Sequence, residues 1–212
     1  MNSLSLRDRK KAQQKIALMQ EFVASLEGCK FHDIVIKQVC QKVDVSEGTF
    51  YNYFPQKTDV LKFFKEVTVI DILWELEAQS FGSILDKINA FFDLIVDKMI
   101  NYKIFQEIMA VFCCELSGKC FYDLSEAEIR IIFDDRVDLE RLVHRSFEDF
   151  FMDSIGEAVI KQELSQKTDI ASVAFFLNVI LVGTPISLKI YGLDDLKKCF
   201  HQQVSLLWRG LK

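Results

Sequence analysis

Two prolines and eight glycines are all that interrupt 212 residues, so the chain lacks the dense turn punctuation of a β-sandwich or barrel. It has three scattered histidines and no metal-spaced His pair, no glycine-rich phosphate loop and no Ser/His/Asp order. A catalytic centre is therefore without support, and the pattern calls for no cofactor. The start, MNSLSLRDRKKAQQK, lacks the apolar core of a secretory signal, which places the expected location in the cytosol. Six cysteines show no C-x-x-C pair or zinc spacing. In a reducing compartment they are expected to be free thiols.

Half of the residues are apolar, enough for a sizeable core. Long runs place them three and four apart, with no convincing strand or repeat, which predicts an all-α fold. One stretch, residues 170–188, carries no charge between Asp169 and Lys189. It is long enough to span a bilayer. Ser172, Asn178, Gly183, Thr184, Pro185 and Ser187 within it, and the absence of a second such stretch, favour a buried or interface helix and no membrane.

The net charge of -5 is unevenly distributed: residues 1–60 hold nine Lys/Arg against seven Asp/Glu, and the remainder is acidic. Such asymmetry suits a DNA-facing head on an acidic body. The first helix is expected from Arg7 to Glu27, with Ile16, Met19, Phe22, Val23 and Leu26 on one face and Gly28 closing it in the left-handed conformation. Arg7, Arg9, Lys10, Lys11 and Lys15 make its other side basic: a line of phosphate contacts, a flexible arm whose first few cations reach a groove, or a solvated charged start. Ile36, Val39, Cys40 and Val43 form the stripe of a short second helix, with Lys37, Gln38, Gln41 and Lys42 on its polar faces.

Asp44-Val45-Ser46 reads as a tight turn, because Asp tolerates a left-handed backbone. Ser46 is an N-cap, Val45 and Phe50 take the two positions of a hydrophobic staple, and Glu47 complements the dipole of a third helix. Pro55 forces Phe54 towards extended geometry, so this helix must stop near Tyr53. An element so short draws its stability from neighbours and suits insertion elsewhere. Its outward residues fit a major groove: Gly48 permits close approach, Thr49 offers a hydroxyl and a methyl, and Tyr51, Asn52 and Tyr53 offer long polar contacts. Lys57 adds a cation near the start of a fourth helix.

The segment VSEGTFYNYFPQKTDVL, with the second helix before it, closely resembles the helix-turn-helix signature of TetR-family transcriptional regulators over residues 34–64. The resemblance implies a three-helix DNA-binding domain at 1–57 and a helical effector-binding and dimerisation domain at 58–212. It implies backbone contacts for Thr49, Tyr51, Tyr53 and Lys57 and base contacts from the first turn of the third helix. Ser46, Glu47, Gly48, Asn52 and Lys37 complete the candidate DNA-binding set. Three positions depart from the family pattern: Val35 replaces a capping Thr, Asp44 a turn glycine, and Glu47 a basic or small residue.

The fourth helix, with Lys57 near its start, should run to about Ala78, and further helices are expected near 83–101, 103–117, 136–164, 168–190 and 193–209. Ser125 and Glu128 should box a short extra one, Gly192 should close a helix, and Asp194 should open the last. The last helix carries Leu196, Phe200, Val204, Leu207 and Leu211 on one side. With the uncharged helix before it, that side is expected to build a homodimer interface, as the family usually does. Nineteen phenylalanines are present; candidates for an effector pocket are Phe91, Phe105, Phe112, Phe133, Phe147, Phe151 and Phe175, with Asn178. Plain core is the commoner use of such residues, so the apolar or aromatic character of the effector is an inference from composition.

The resulting expectation is a dimeric repressor that a small-molecule effector, acting through the fourth helix, releases from a near-palindromic DNA operator. An activator or partner-controlled regulator of the same fold fits the same residues. A redox or metal sensor at Cys113, Cys114 and Cys120, with His144 or His201, is a further alternative, although buried thiols usually pack as small hydrophobes.

Overall fold

Local caps define most of the elements in the computed structural model, which describes residues 4–98, 122–134, 136–191 and 195–211. Nine α-helices and no strand occur among these residues. Helix α1, Leu6–Ser25, starts at Ser5, whose Oγ accepts from the Asp8 amide at 3.1 Å. It ends differently from expectation. Gly28 is not left-handed; instead the Leu26, Glu27 and Gly28 amides each donate to the carbonyl three residues back, winding the end into tight turns.

A 3-10 turn, Phe31–Asp33, leads to α2, Ile36–Val43, whose cap residue Val35 makes no side-chain capping bond. Asp44 then adopts φ 57° and ψ 48°, the left-handed geometry foreseen for it. Helix α3, Glu47–Tyr53, follows directly, and α4, Lys57–Glu77, begins after Pro55. Next come α5, Ile84–Lys98, and α6, Glu126–Ile132, closed at its start by the expected Ser125–Glu128 capping box. The expected helix at 103–117 lies outside the described residues.

The helix expected from 136 to 164 is interrupted. Leu139–Arg141 form only a 3-10 turn, Asp138 and His144 have positive φ, and α7 spans Phe147–Ile160. Ser146 and Asp149 cap α7 reciprocally, satisfying amides that a continuous helix would have bonded internally. Helices α8, Ile170–Tyr191, and α9, Leu196–Gly210, complete the chain. Asp195 caps α9, its Oδ1 accepting from the Lys198 amide at 3.0 Å; Gly192 and Asp194 lie outside the described residues.

The described residues fall into two compact units, one drawn from Met1–Thr68 and Lys103–Glu140, the other from Val69–Tyr102 and Arg141–Lys212. Helix α4 runs from one into the other. In the first unit α1 packs on α2, α3 and α6. Leu18, Phe22, Leu26, Val39, Phe50, Phe54, Leu61 and Phe63 form its core. In the second, α7 packs on α8, α9 on α5 and α8, and α5 on α7. Phe91, Phe92, Phe151 and Phe200 are fully buried there, each contributing roughly 1.5–3 kcal/mol of burial.

The apolar stripe of α9 turns inward: Leu196, Phe200 and Val204 are buried, and the Phe200 ring stacks on Phe92 at 4.6 Å. Helix α8 is the one described helix long and apolar enough to cross a membrane. Val173, Ala174, Leu177, Leu181 and Leu188 of α8 are buried within the unit.

Candidate nucleic-acid interface

Helix α3 is held from behind by two phenylalanines and leaves its other side open. Phe50 and Phe54 have no exposure and their rings meet at 5.6 Å. Val45 packs against the same core, at the position expected for the staple. Ser46 Oγ accepts from the Thr49 amide at 3.1 Å and shares a second hydrogen bond with the Thr49 hydroxyl at 2.9 Å. Ser46, Glu47, Gly48, Tyr51 and Asn52 are exposed, and Thr49 is half-buried. A Cβ at Gly48 would meet nothing closer than Ser46 Oγ at 3.7 Å. Internal packing therefore does not demand glycine there.

Tyr53 is set differently from Tyr51. Its hydroxyl donates to Gln14 Oε1 at 2.9 Å, and its carbonyl accepts from the Tyr122 hydroxyl at 3.4 Å. Tyr51, 48% exposed, keeps its ring edge-on to Phe50 and its remaining surface in solvent. Lys57 Nζ donates to the His32 carbonyl at 3.1 Å and lies 4.8 Å from the Phe31 ring centroid.

Lys37 is exposed on α2, and Arg7, Arg9, Lys10 and Lys11 are exposed on α1. Lys15, read from sequence as part of that basic side, points inward instead, donating to Glu128 Oε1 at 2.6 Å. Gln14 and Tyr122, which bond Tyr53 at the end of α3 from distant positions, and the inward turn of Lys15 onto Glu128 are not legible in local sequence. Only the capping role of Glu128 was visible, because the spacing to Ser125 is local.

No family model and no curated protein matches the chain. Solved structures do match along nearly its whole length. A TetR-family transcriptional regulator from Agrobacterium tumefaciens aligns over 97% of this chain and 99% of its own, with 14% identity and a TM-score of 0.60. The regulatory protein TetR from Rhodobacter sphaeroides aligns over 93% and 98%, with 14% identity and a TM-score of 0.60. TylP, a TetR regulator from Streptomyces fradiae, aligns over 93% and 86%, with 16% identity and a TM-score of 0.59. The chain has the TetR-family fold.

Within this TetR fold the candidate effector residues are dispersed. Phe91 is ringed by Phe147, Phe150 and Phe151 at centroid distances of 4.9, 5.0 and 4.9 Å. Phe133 is buried in the first unit, Phe175 is 63% exposed on α8, and the Asn178 amide donates to the Ala174 carbonyl. Phe105 and Phe112 lie outside the described residues, as do Cys113, Cys114 and Cys120. A cavity of about 350 Å³ in the second unit is lined by Glu77, Lys87, Arg141, Glu157 and Lys161 beside Leu76, Phe81 and Ile84. None of the candidate phenylalanines lines it.

Among the described residues no group of three His, Cys, Asp or Glu is placed to hold a metal. Cys29, Cys40 and Cys199 are free thiols. Burial, with the Glu47 carboxylate, pushes the Cys40 thiol up, so it packs as an inert hydrophobe.

Proposed function

We propose that the protein is a sequence-specific DNA-binding transcriptional regulator, a homodimeric repressor released from its operator by a small-molecule effector. The observation that carries this reading is the open polar side of α3: Ser46, Glu47, Gly48, Tyr51 and Asn52 are exposed on about two turns of helix that is anchored on its other side by the buried Phe50 and Phe54. The fold shared with TetR-family regulators supports it.

In this reading residues 1–57 bind DNA. Glu47, Gly48 and the rest of the first turn approach base edges, while Lys37, Thr49, Tyr51, Tyr53 and Lys57 set the register on phosphates. Residues 58–212 dimerise and bind the effector. Along α8, Phe175, Phe176, Val179, Ile186, Ile190 and Tyr191 are exposed, as is Leu206 on α9. Large exposed apolar side chains on these two helices support pairing with a second copy. The two α3 helices would then enter successive major grooves about 34–36 Å apart. The phenylalanine content of the chain is the basis for an apolar or aromatic effector.

Selection of genomic fragments by the purified protein tests this directly. The expected outcome is enrichment of a near-palindromic motif with half-sites one helical turn apart. Recovery of fragments in proportion to their input, with no shared motif, would overturn the proposal.

A further inference from the structure

Of the five cations on α1, Lys15 alone is buried, at 8% exposure, and its partner Glu128 is buried at 2%. Glu128 is engaged twice: Oε1 accepts from Lys15 and Oε2 accepts from the Ser125 amide at 2.7 Å. The Lys15 ammonium lies 4.7 Å from the Tyr122 ring centroid, 4.9 Å from Phe63 and 5.8 Å from Phe54. These rings also touch one another, Phe63 to Tyr122 at 5.3 Å and Phe54 to Phe63 at 5.8 Å. Attraction between the cation and the ring faces holds such a cluster around one point.

Each group in the cluster comes from a different element. Lys15 belongs to α1, Phe63 to α4, and Glu128 to α6, with Tyr122 just ahead of it. Phe54 is the C-cap of α3, and its amide donates to the Phe50 carbonyl at 2.8 Å. Tyr122 reaches the same place through its bond to the Tyr53 carbonyl. An ion pair this deeply buried adds little net stability, because the cost of desolvating both charges offsets their attraction. Its effect is on geometry, since either charge left alone there is heavily penalised.

We propose that Lys15 and Glu128 are positioning residues for the DNA-reading helix: the pair locks α6 onto α1, and the ammonium clamps the rings that set where α3 ends. The proposal rests on the reading of α3 as the element that meets DNA. Its first readout needs no DNA.

Amide hydrogen exchange on the full chain supplies that readout. In Glu128→Gln the ammonium loses its counter-charge, and the Phe50 and Phe54 amides should exchange about tenfold faster while those of α5 and α7 keep wild-type rates. Should that variant fail to fold, Lys15→Met combined with Glu128→Gln buries no orphaned charge and carries the test. It should still speed exchange at Phe54 by about threefold, because no cation joins the rings.

On a fragment selected by the wild-type protein, the Glu128→Gln variant should bind about tenfold more weakly with an unchanged salt slope. A lost phosphate contact would lower the slope by about one. Wild-type exchange at Phe50 and Phe54 in these variants, or equal acceleration in both units, would overturn the proposal. If the wild-type protein selects no fragment, the regulatory reading fails, and the exchange rates still decide whether the pair positions α3.

Discussion

The Tyr53 hydroxyl donates to Gln14 Oε1 at 2.9 Å, tying the end of α3 to α1 across 39 positions of sequence. Tyr53→Phe removes that bond without removing the ring and should lower stability by about 1 kcal/mol, read by urea unfolding. Gln14→Ala should cost a similar amount, and the double variant less than the sum, because both remove one interaction. Tyr51→Phe changes an exposed hydroxyl instead. It should leave stability within about 0.5 kcal/mol while weakening DNA binding.

At Asp44 the backbone is left-handed, with φ 57°. Asp44→Val places a β-branched residue where its Cβ crowds the following carbonyl, and should cost about 1–2 kcal/mol. Asp44→Gly should be neutral or slightly stabilising. Equal unfolding midpoints for the two variants would contradict a backbone origin.

Helix α7 begins where Ser146 and Asp149 cap each other, the Asp149 amide donating to Ser146 Oγ at 3.1 Å and the Ser146 amide to Asp149 Oδ2 at 2.8 Å. Ser146→Ala should lower stability by about 1 kcal/mol in thermal unfolding. An unchanged transition would mean that the break before α7 is set elsewhere.

Phe175 is 63% exposed on α8, so Phe175→Glu should cost the isolated chain little. If α8 pairs with its copy, this substitution should turn a dimer into a monomer at micromolar concentration in sedimentation velocity, with helical content preserved. A sedimentation coefficient identical to wild type would remove Phe175 from any interface.

Hydrogen bonding from Lys161, with a further bond from Lys87, holds the Glu157 carboxyl below its ordinary range. A depressed carboxylate stabilises the fold above its unfolded-state range and loses that contribution as pH falls through its folded value. Wild-type protein should therefore lose stability on acidification through this window more steeply than Glu157→Gln. The difference should be small, because the group is partly exposed and screened. Parallel acid limbs for the two proteins would contradict the linkage.

Local chemistry carried much of the head and its candidate site into view. The cap at Ser46, the left-handed turn at Asp44, the stop before Pro55 and the box at Ser125 and Glu128 each depend on atoms within about four residues. The order of residues determines them almost alone. The face of α3 that stays open followed from the same register, since Phe50 and Phe54 had to lie on the buried side.

Tertiary structure decided the rest, because burial depends on which distant segment covers a side chain. Lys15 reads as one more surface cation until Glu128, 113 positions away, meets it among three rings. The stripe of α9 reads as an interface until Phe92 covers Phe200 within the same unit. Phenylalanine spacing alone does not separate core from pocket, and only packing gathered Phe147, Phe150 and Phe151 around Phe91 while leaving Phe175 in solvent.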